Sequence, residues 1–155
     1  MQAYAFAGCE NLTVLQLPAG LSSIPEGAFE NCQKLQTVIL PQTLTSVFDK
    51  AFKGCIDLAE ISLENVASTL GDEAFYGCTS LSSVMLSQSL SSIGAGCFAA
   101  CTGLTSVSMY NGEYGWTTDR IEDGSRITVM DATENARLLT SVSGYCNATW
   151  TKVTS

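Results

Sequence analysis

"EGAFENCQKLQTVILPQTLTSV", residues 26–47, sets in a row an Ala-Phe pair, a cysteine three residues after the Phe, and the string L-x-x-V-x-L. The arrangement returns as "DKAFKGCIDLAEISL" and "DEAFYGCTSLSSVML", so the internal repeat is read before any local structure. Its period is 23 residues: the pair falls at Ala5-Phe6, Ala28-Phe29, Ala51-Phe52 and Ala74-Phe75, with Cys97-Phe98 as an altered fifth copy. Cysteine follows at Cys9, Cys32, Cys55, Cys78 and Cys101, and leucine at Leu12, Leu35, Leu58, Leu81 and Leu104. Five units fill residues 1–109 without an insertion.

In each unit the last apolar residues alternate with polar ones, as in Val38 and Leu40, which predicts a short strand with one buried face. Phe29, Cys32 and Leu35 stand at i, i+3 and i+6, which predicts one or two turns of α- or 3₁₀-helix before the strand. A single unit cannot bury its apolar stripe. The units must stack into a solenoid whose strands form a parallel sheet along one side.

The stretch "AFENCQKLQTVILPQTL" and its four copies resemble the leucine-rich repeat in its 23-residue bacterial form, the BspA-like or Treponema pallidum type. Departures are local: Pro18 and Pro41 follow the strand in the first two units, where Glu64, Ser87 and Tyr110 stand later. The resemblance implies an α/β repeat fold, a right-handed leucine-rich-repeat solenoid of five repeats over residues 1–109. It also implies a secreted or cell-surface bacterial protein, acting without catalysis or cofactor. Family members are associated with adhesion to host matrix proteins and other cells, so a protein partner is the expectation.

The bulk composition agrees with a binding or structural role. With seven Lys plus Arg against fifteen Asp plus Glu, and a formal charge of −8, no basic stripe exists to neutralise phosphates, which argues against nucleic acid. Charged residues are only 14% of the chain, so hydroxyls and backbone must build much of the polar surface. No apolar run is long enough to span a bilayer, and the start "MQAYAFAGCENL" lacks the basic and apolar regions of an export signal. Met1 holds the repeat position of Ile24, Val47, Leu70 and Ile93, so the expectation is a piece of a longer protein.

The cysteine ladder is read as buried thiol that fills space. The chain has no histidine to complete a mixed metal site, and only Cys97 and Cys101 are closely spaced. A bridge from Cys146 to Cys97 or Cys101 is conceivable if the C-terminal segment packs there. That segment, 110–155, is expected to cap the last repeat: a loop at "YNGEYGWTTDRIEDG", a strand at 126–130, a helix begun by Asp131 with Glu134 in a capping box, and a strand in "YCNATWTKV". Tyr110, Tyr114, Trp116, Tyr145 and Trp150 either pack the cap or form a ligand platform.

Catalysis has little to stand on. Without histidine, neither a Cys-His nor a Ser-His pair can form, and the remaining enzyme reading is the acidic loop of Glu113, Asp119, Glu122 and Asp123. The same carboxylates could gather a calcium ion through oxygen ligands. The candidate binding surface is the outward row of the sheet: Val14, Gln16, Thr37, Ile39, Glu60, Ser62, Ser83, Met85, Ser106 and Ser108. A structural spacer that only presents another domain is the rival reading.

Overall fold

The structure is a computed structural model, and it describes residues 1–109, 116–118, 132–141 and 145–153. The L-x-x-V-x-L strings form β1 (Val14–Gln16), β3 (Thr37–Ile39), β5 (Glu60–Leu63), β7 (Ser83–Leu86) and β9 (Ser106–Ser108). They pair in parallel in that order, each residue beside its equivalent 23 positions on, such as Val84 beside Val107. Strict register follows from the alternation: a slip of one residue would turn Val38, Ile61, Val84 and Val107, all buried, out to solvent.

A second sheet, which the repeat pattern did not announce, closes the other side. Its strands are two residues long: β2 (Ser23–Ile24), β4 (Ser46–Val47), β6 (Thr69–Leu70) and β8 (Ser92–Ile93), again parallel. Ile24, Val47, Leu70 and Ile93 are buried against the first sheet's inner residues. Hydroxyls beside these strands donate to carbonyls one repeat earlier, Thr45 Oγ1 to Ser22 at 3.0 Å and Ser91 Oγ to Ser68 at 2.6 Å. That use accounts for part of the Ser and Thr content.

The expected helical turns are present only as separate turns. Amides three residues on close them: Ala28 to Pro25, Glu30 to Gly27, Cys32 to Phe29 and Leu35 to Cys32, at 3.0 to 3.2 Å. Left-handed residues interrupt them at Gly27 (φ 58°) and Asn31 (φ 59°). The amides of Gly27, Phe29 and Asn31 point along the solenoid axis and donate to Asp49, Ala51 and Lys53 of the next repeat. Propagation of a helix would have spent these donors inside the unit. Bonding them between units is what stacks the repeats.

Under these turns run two columns. Phe6, Phe29, Phe52, Phe75 and Phe98 stack with centroids 5.4 to 5.5 Å apart and rings within 13° of parallel. Beside them the thiols of Cys32, Cys55, Cys78 and Cys101 donate to the carbonyls of Phe6, Phe29, Phe52 and Phe75, at 3.0 to 3.2 Å. The Phe29 carbonyl therefore accepts from the Cys32 amide of its own turn and from the Cys55 thiol of the next. The cysteine fills space, as expected, and also ties one repeat to the next. All seven cysteines are free thiols, including Cys97, Cys101 and Cys146, so the conceivable bridge is not made.

Burial pushes the Cys55 thiol from 9.0 up to about 12, and burial also raises Cys32 and Cys97. Cys78 is raised first by the neighbouring Cys101 thiol and then by burial. Between the unfolded value and the raised one, the native state holds more protons than the unfolded chain, so stability falls as pH rises. The unfolding free energy from urea titrations should therefore drop from pH 9 toward 12, by on the order of 1 kcal/mol per pH unit for a thiol such as Cys55. Cys55→Ala should flatten the slope; an identical slope in that variant would refute the assignment.

The C-terminal segment closes the last repeat. Helix α1 (Ala132–Thr140) packs on β9 through Ala136 and Leu139, and Asn135 Nδ2 donates to the Val107 carbonyl at 2.7 Å. Strand β11 (Trp150–Lys152) pairs antiparallel with β8, and β10 (Trp116–Thr118) pairs antiparallel with β11. The loop expected at residues 110–124 thus contains a strand. The Gly96 amide, which would seek a sixth repeat, donates instead to the Cys146 carbonyl at 2.7 Å. The expected strand at 126–130 and the Asp131 cap lie outside the described residues. So do Glu113, Asp119, Glu122 and Asp123 of the acidic loop.

Candidate protein-binding surface

Because parallel register stacks equivalent residues, the outward side chains of the first sheet form two straight rows. One reads Val14, Thr37, Glu60, Ser83, Ser106; the other reads Gln16, Ile39, Ser62, Met85, Ser108. All ten expected surface residues are brought onto one face. Thr37 and Ser106 are half-buried and the other eight exposed.

Val14, Met85 and Ile39 are 59%, 53% and 50% exposed, the three highest values among the large apolar side chains of the described residues. The other exposed ones lie elsewhere: Met1, Tyr4 and Phe6 in the first repeat, and Phe48, Ile56 and Tyr76 on the turns. Ile39 and Met85 share a row on either side of Ser62. Between and beside them the sheet is hollowed into shallow depressions of about 470 and 510 Å³, sharing Glu64 and Met85. A third, about 480 Å³, adjoins through Thr37 and Glu60 and extends to Asp57.

Asp57 and Glu64 were not among the residues expected from the sequence to form the surface. Glu64 had a signal, since it takes the place that Pro18 and Pro41 hold in earlier repeats. Asp57 had none, because it precedes the strand, where a turn residue reads as ordinary solvent-facing polarity.

The aromatic residues of the cap pack rather than present a platform, as far as they are described. Trp116 and Trp150 are buried, Trp150 Nε1 donates to the Tyr145 carbonyl at 3.1 Å, and the Tyr145 ring meets Trp150 edge-on at 6.1 Å. Tyr110 and Tyr114 lie outside the described residues. Among the described residues, no group of His, Cys, Asp and Glu is placed to hold a metal, and no helix is long and apolar enough to cross a membrane.

Stacked 23-residue units, a parallel sheet on one side and inward leucine columns define the class: this is a leucine-rich-repeat solenoid with a C-terminal cap. The chain belongs to the BspA-type leucine-rich-repeat family, whose model, "BspA type Leucine rich repeat region", matches residues 1–115 in six copies. It is similar to a leucine-rich repeat protein from Bacteroides ovatus, 33% identical over 70% of this chain and 28% of that one, with a TM-score of 0.67. It is also similar to the T. pallidum leucine-rich repeat protein, 33% identical over 72% of this chain and 52% of that one, TM-score 0.68. A leucine rich cell surface protein from Faecalibacterium prausnitzii is 31% identical over 70% of this chain and 28% of that one, TM-score 0.66. The chain thus spans about a quarter to a half of the length of these relatives. No curated protein matches it. Its family is one of protein-interaction repeat modules.

Proposed function

We propose that this chain is a non-enzymatic, adhesion-type protein-binding module of a secreted or cell-surface bacterial protein. Residues 1–109 form its binding solenoid and 110–155 its cap. The ten outward residues from Val14 to Ser108 make the contact surface, and the partner is a host matrix protein or another cell-surface protein.

One observation carries the reading. Among the described residues, the three most exposed large apolar side chains, Val14, Ile39 and Met85, come from three different repeats and fall on the same sheet face. Single exposed apolar residues are ordinary, but three gathered on one regular platform offer area that a partner covers at about 25 cal/mol per Å². Recognition then proceeds by surface complementarity, with no covalent step.

The test is a binding screen of the chain against immobilised matrix proteins and cell-surface proteins. The variant Val14→Ser/Ile39→Ser/Met85→Ser is run beside it, with thermal unfolding as the check on folding. Saturable binding that falls at least about tenfold in a folded variant, or roughly 1.4 kcal/mol, is the expected result. Undiminished binding by the variant would remove the sheet face from the function. Absence of any binding by the unaltered chain would favour a spacer that presents another domain.

A further inference from the structure

Three depressions on the outward face form a single trough. The depression that reaches Asp57 shares Thr37 and Glu60 with the central one, which shares Glu64 and Met85 with the one over Ser87 and Ser108, so the hollow follows β5 and then turns onto the end of β7. Ile39 and Met85 are its walls and Ser62 its floor. The walls stand two strand spacings apart, about 10 Å, which admits one extended chain but not a helix of 10–12 Å seated between them.

The floor has a chemical order. Along β5 and the residue after it, Glu60, Ser62 and Glu64 face outward while Ile61 and Leu63 are buried. Two carboxylates therefore flank the small serine, separated from each other by about 13 Å of extended chain. Asp57 adds a third acid at the near end. No Lys or Arg among the described residues lines the trough. Among the described residues, the recorded ion pairs lie elsewhere, Lys53 with Glu73 and Arg137 with Glu134. At the far end the Lys152 ammonium donates to the carbonyl of Gln88, a lining residue.

We propose that this trough binds an extended segment of a partner protein in which an aliphatic residue is flanked, two positions away on each side, by Lys or Arg. This rests on the sheet-face reading above and names the chemistry of its partner. In an extended peptide, residues i, i+2 and i+4 share a face, so Lys-x-Leu-x-Lys matches Glu60, Ser62 and Glu64 in spacing. The leucine fills the gap between Ile39 and Met85, whose exposed surfaces it covers. The two cations meet Glu60 and Glu64. An acidic segment would be repelled, and a neutral apolar one would leave two carboxylates stripped of water without a partner. The chain's net charge of −8 adds long-range attraction for a basic segment.

The probe is the peptide Gly-Lys-Ser-Leu-Ser-Lys-Gly, compared with its same-composition isomer Gly-Lys-Ser-Lys-Leu-Ser-Gly. Both are titrated into the isotope-labelled full chain and followed by amide chemical shifts. Saturable shifts centred on Ser62 are expected, with the isomer binding about fivefold more weakly. Glu60→Gln/Glu64→Gln should weaken the first peptide by a similar factor, and Glu10→Gln/Glu30→Gln, outside the trough, should not. Equal binding of the two peptides, or equal loss in the two double variants, would reduce the effect to bulk charge and overturn the proposal. Absence of saturable shifts would overturn it too. The matrix-protein screen with the Val14, Ile39 and Met85 variant reports separately on the sheet face, so a failure of the peptide chemistry is distinguishable from a failure of the surface.

Discussion

Phe52→Ala is expected to lower the unfolding free energy by about 4 kcal/mol, the largest loss from any single truncation in the repeats. Phe52 is fully buried, with a ring 5.4 Å above it and another 5.4 Å below, and removing it empties the middle of the column. In a solenoid each repeat touches only its neighbours, so the cavity weakens two interfaces together, those with the second and the fourth repeats. Marginal stability of about 5–15 kcal/mol makes such a loss visible in a urea titration. Phe48→Ala is the companion measurement, because that ring is 47% exposed and should change stability by about 0.5 kcal/mol or less. Similar midpoints for the two variants would refute the ring column as a main support of the stack.

Gly94→Ala should cost about 3 kcal/mol, through crowding rather than loss. A Cβ on Gly94 would lie 2.4 Å from the Asp72 backbone nitrogen and 2.5 Å from the Gly71 carbonyl carbon. Backbone cannot step aside as a flexible side chain can. The approach is close because Asp72 Oδ1 accepts from the Ala95 amide at 2.8 Å, as Asp49 Oδ1 accepts from Asp72 one repeat earlier. These carboxylates draw consecutive turns together where glycine leaves room. Gly77→Ala offers the contrast: its φ is +72° but nothing lies within 4 Å, so it should cost only the left-handed penalty of about 1 kcal/mol. If Gly77→Ala proved the more damaging, strain in the backbone would outweigh packing between repeats.

Much of this architecture was legible because a linear period becomes a column when units stack in register. Ala28, Phe29, Cys32 and Leu35 recur every 23 residues, and in the structure their copies lie on one another as inward columns. The same logic placed Val14 through Ser108 on one outward face. Direction was harder to read. The thiol of Cys55 was recognisable as buried, but its bond to the Phe29 carbonyl joins residues 26 positions apart, and no local pattern marks it.

The left-handed positions were hidden for a related reason. One of them is held in turn by Tyr4, Gly27, Lys50, Glu73 and Gly96, all with φ between 55° and 67°. Only two of the five are glycine, so the usual sign of such a conformation is missing. Inter-repeat hydrogen bonds, such as Lys50 to Asp72 and Glu73 to Ala95, hold the other three residues in it.

By itself, then, the sequence determined the period, the inward columns, the parallel sheet and the residues that share its outer face. Each of these follows from hydrophobic repetition at a fixed interval. Only the tertiary structure decided the second sheet, the broken turns in place of helices, the trough over β5 and the way the Cys146 carbonyl takes the Gly96 amide. The physical reason is that these features are made by hydrogen bonds and contacts between neighbouring turns or from cap to solenoid, where partners lie 20 or more residues apart and local propensity carries no record of them.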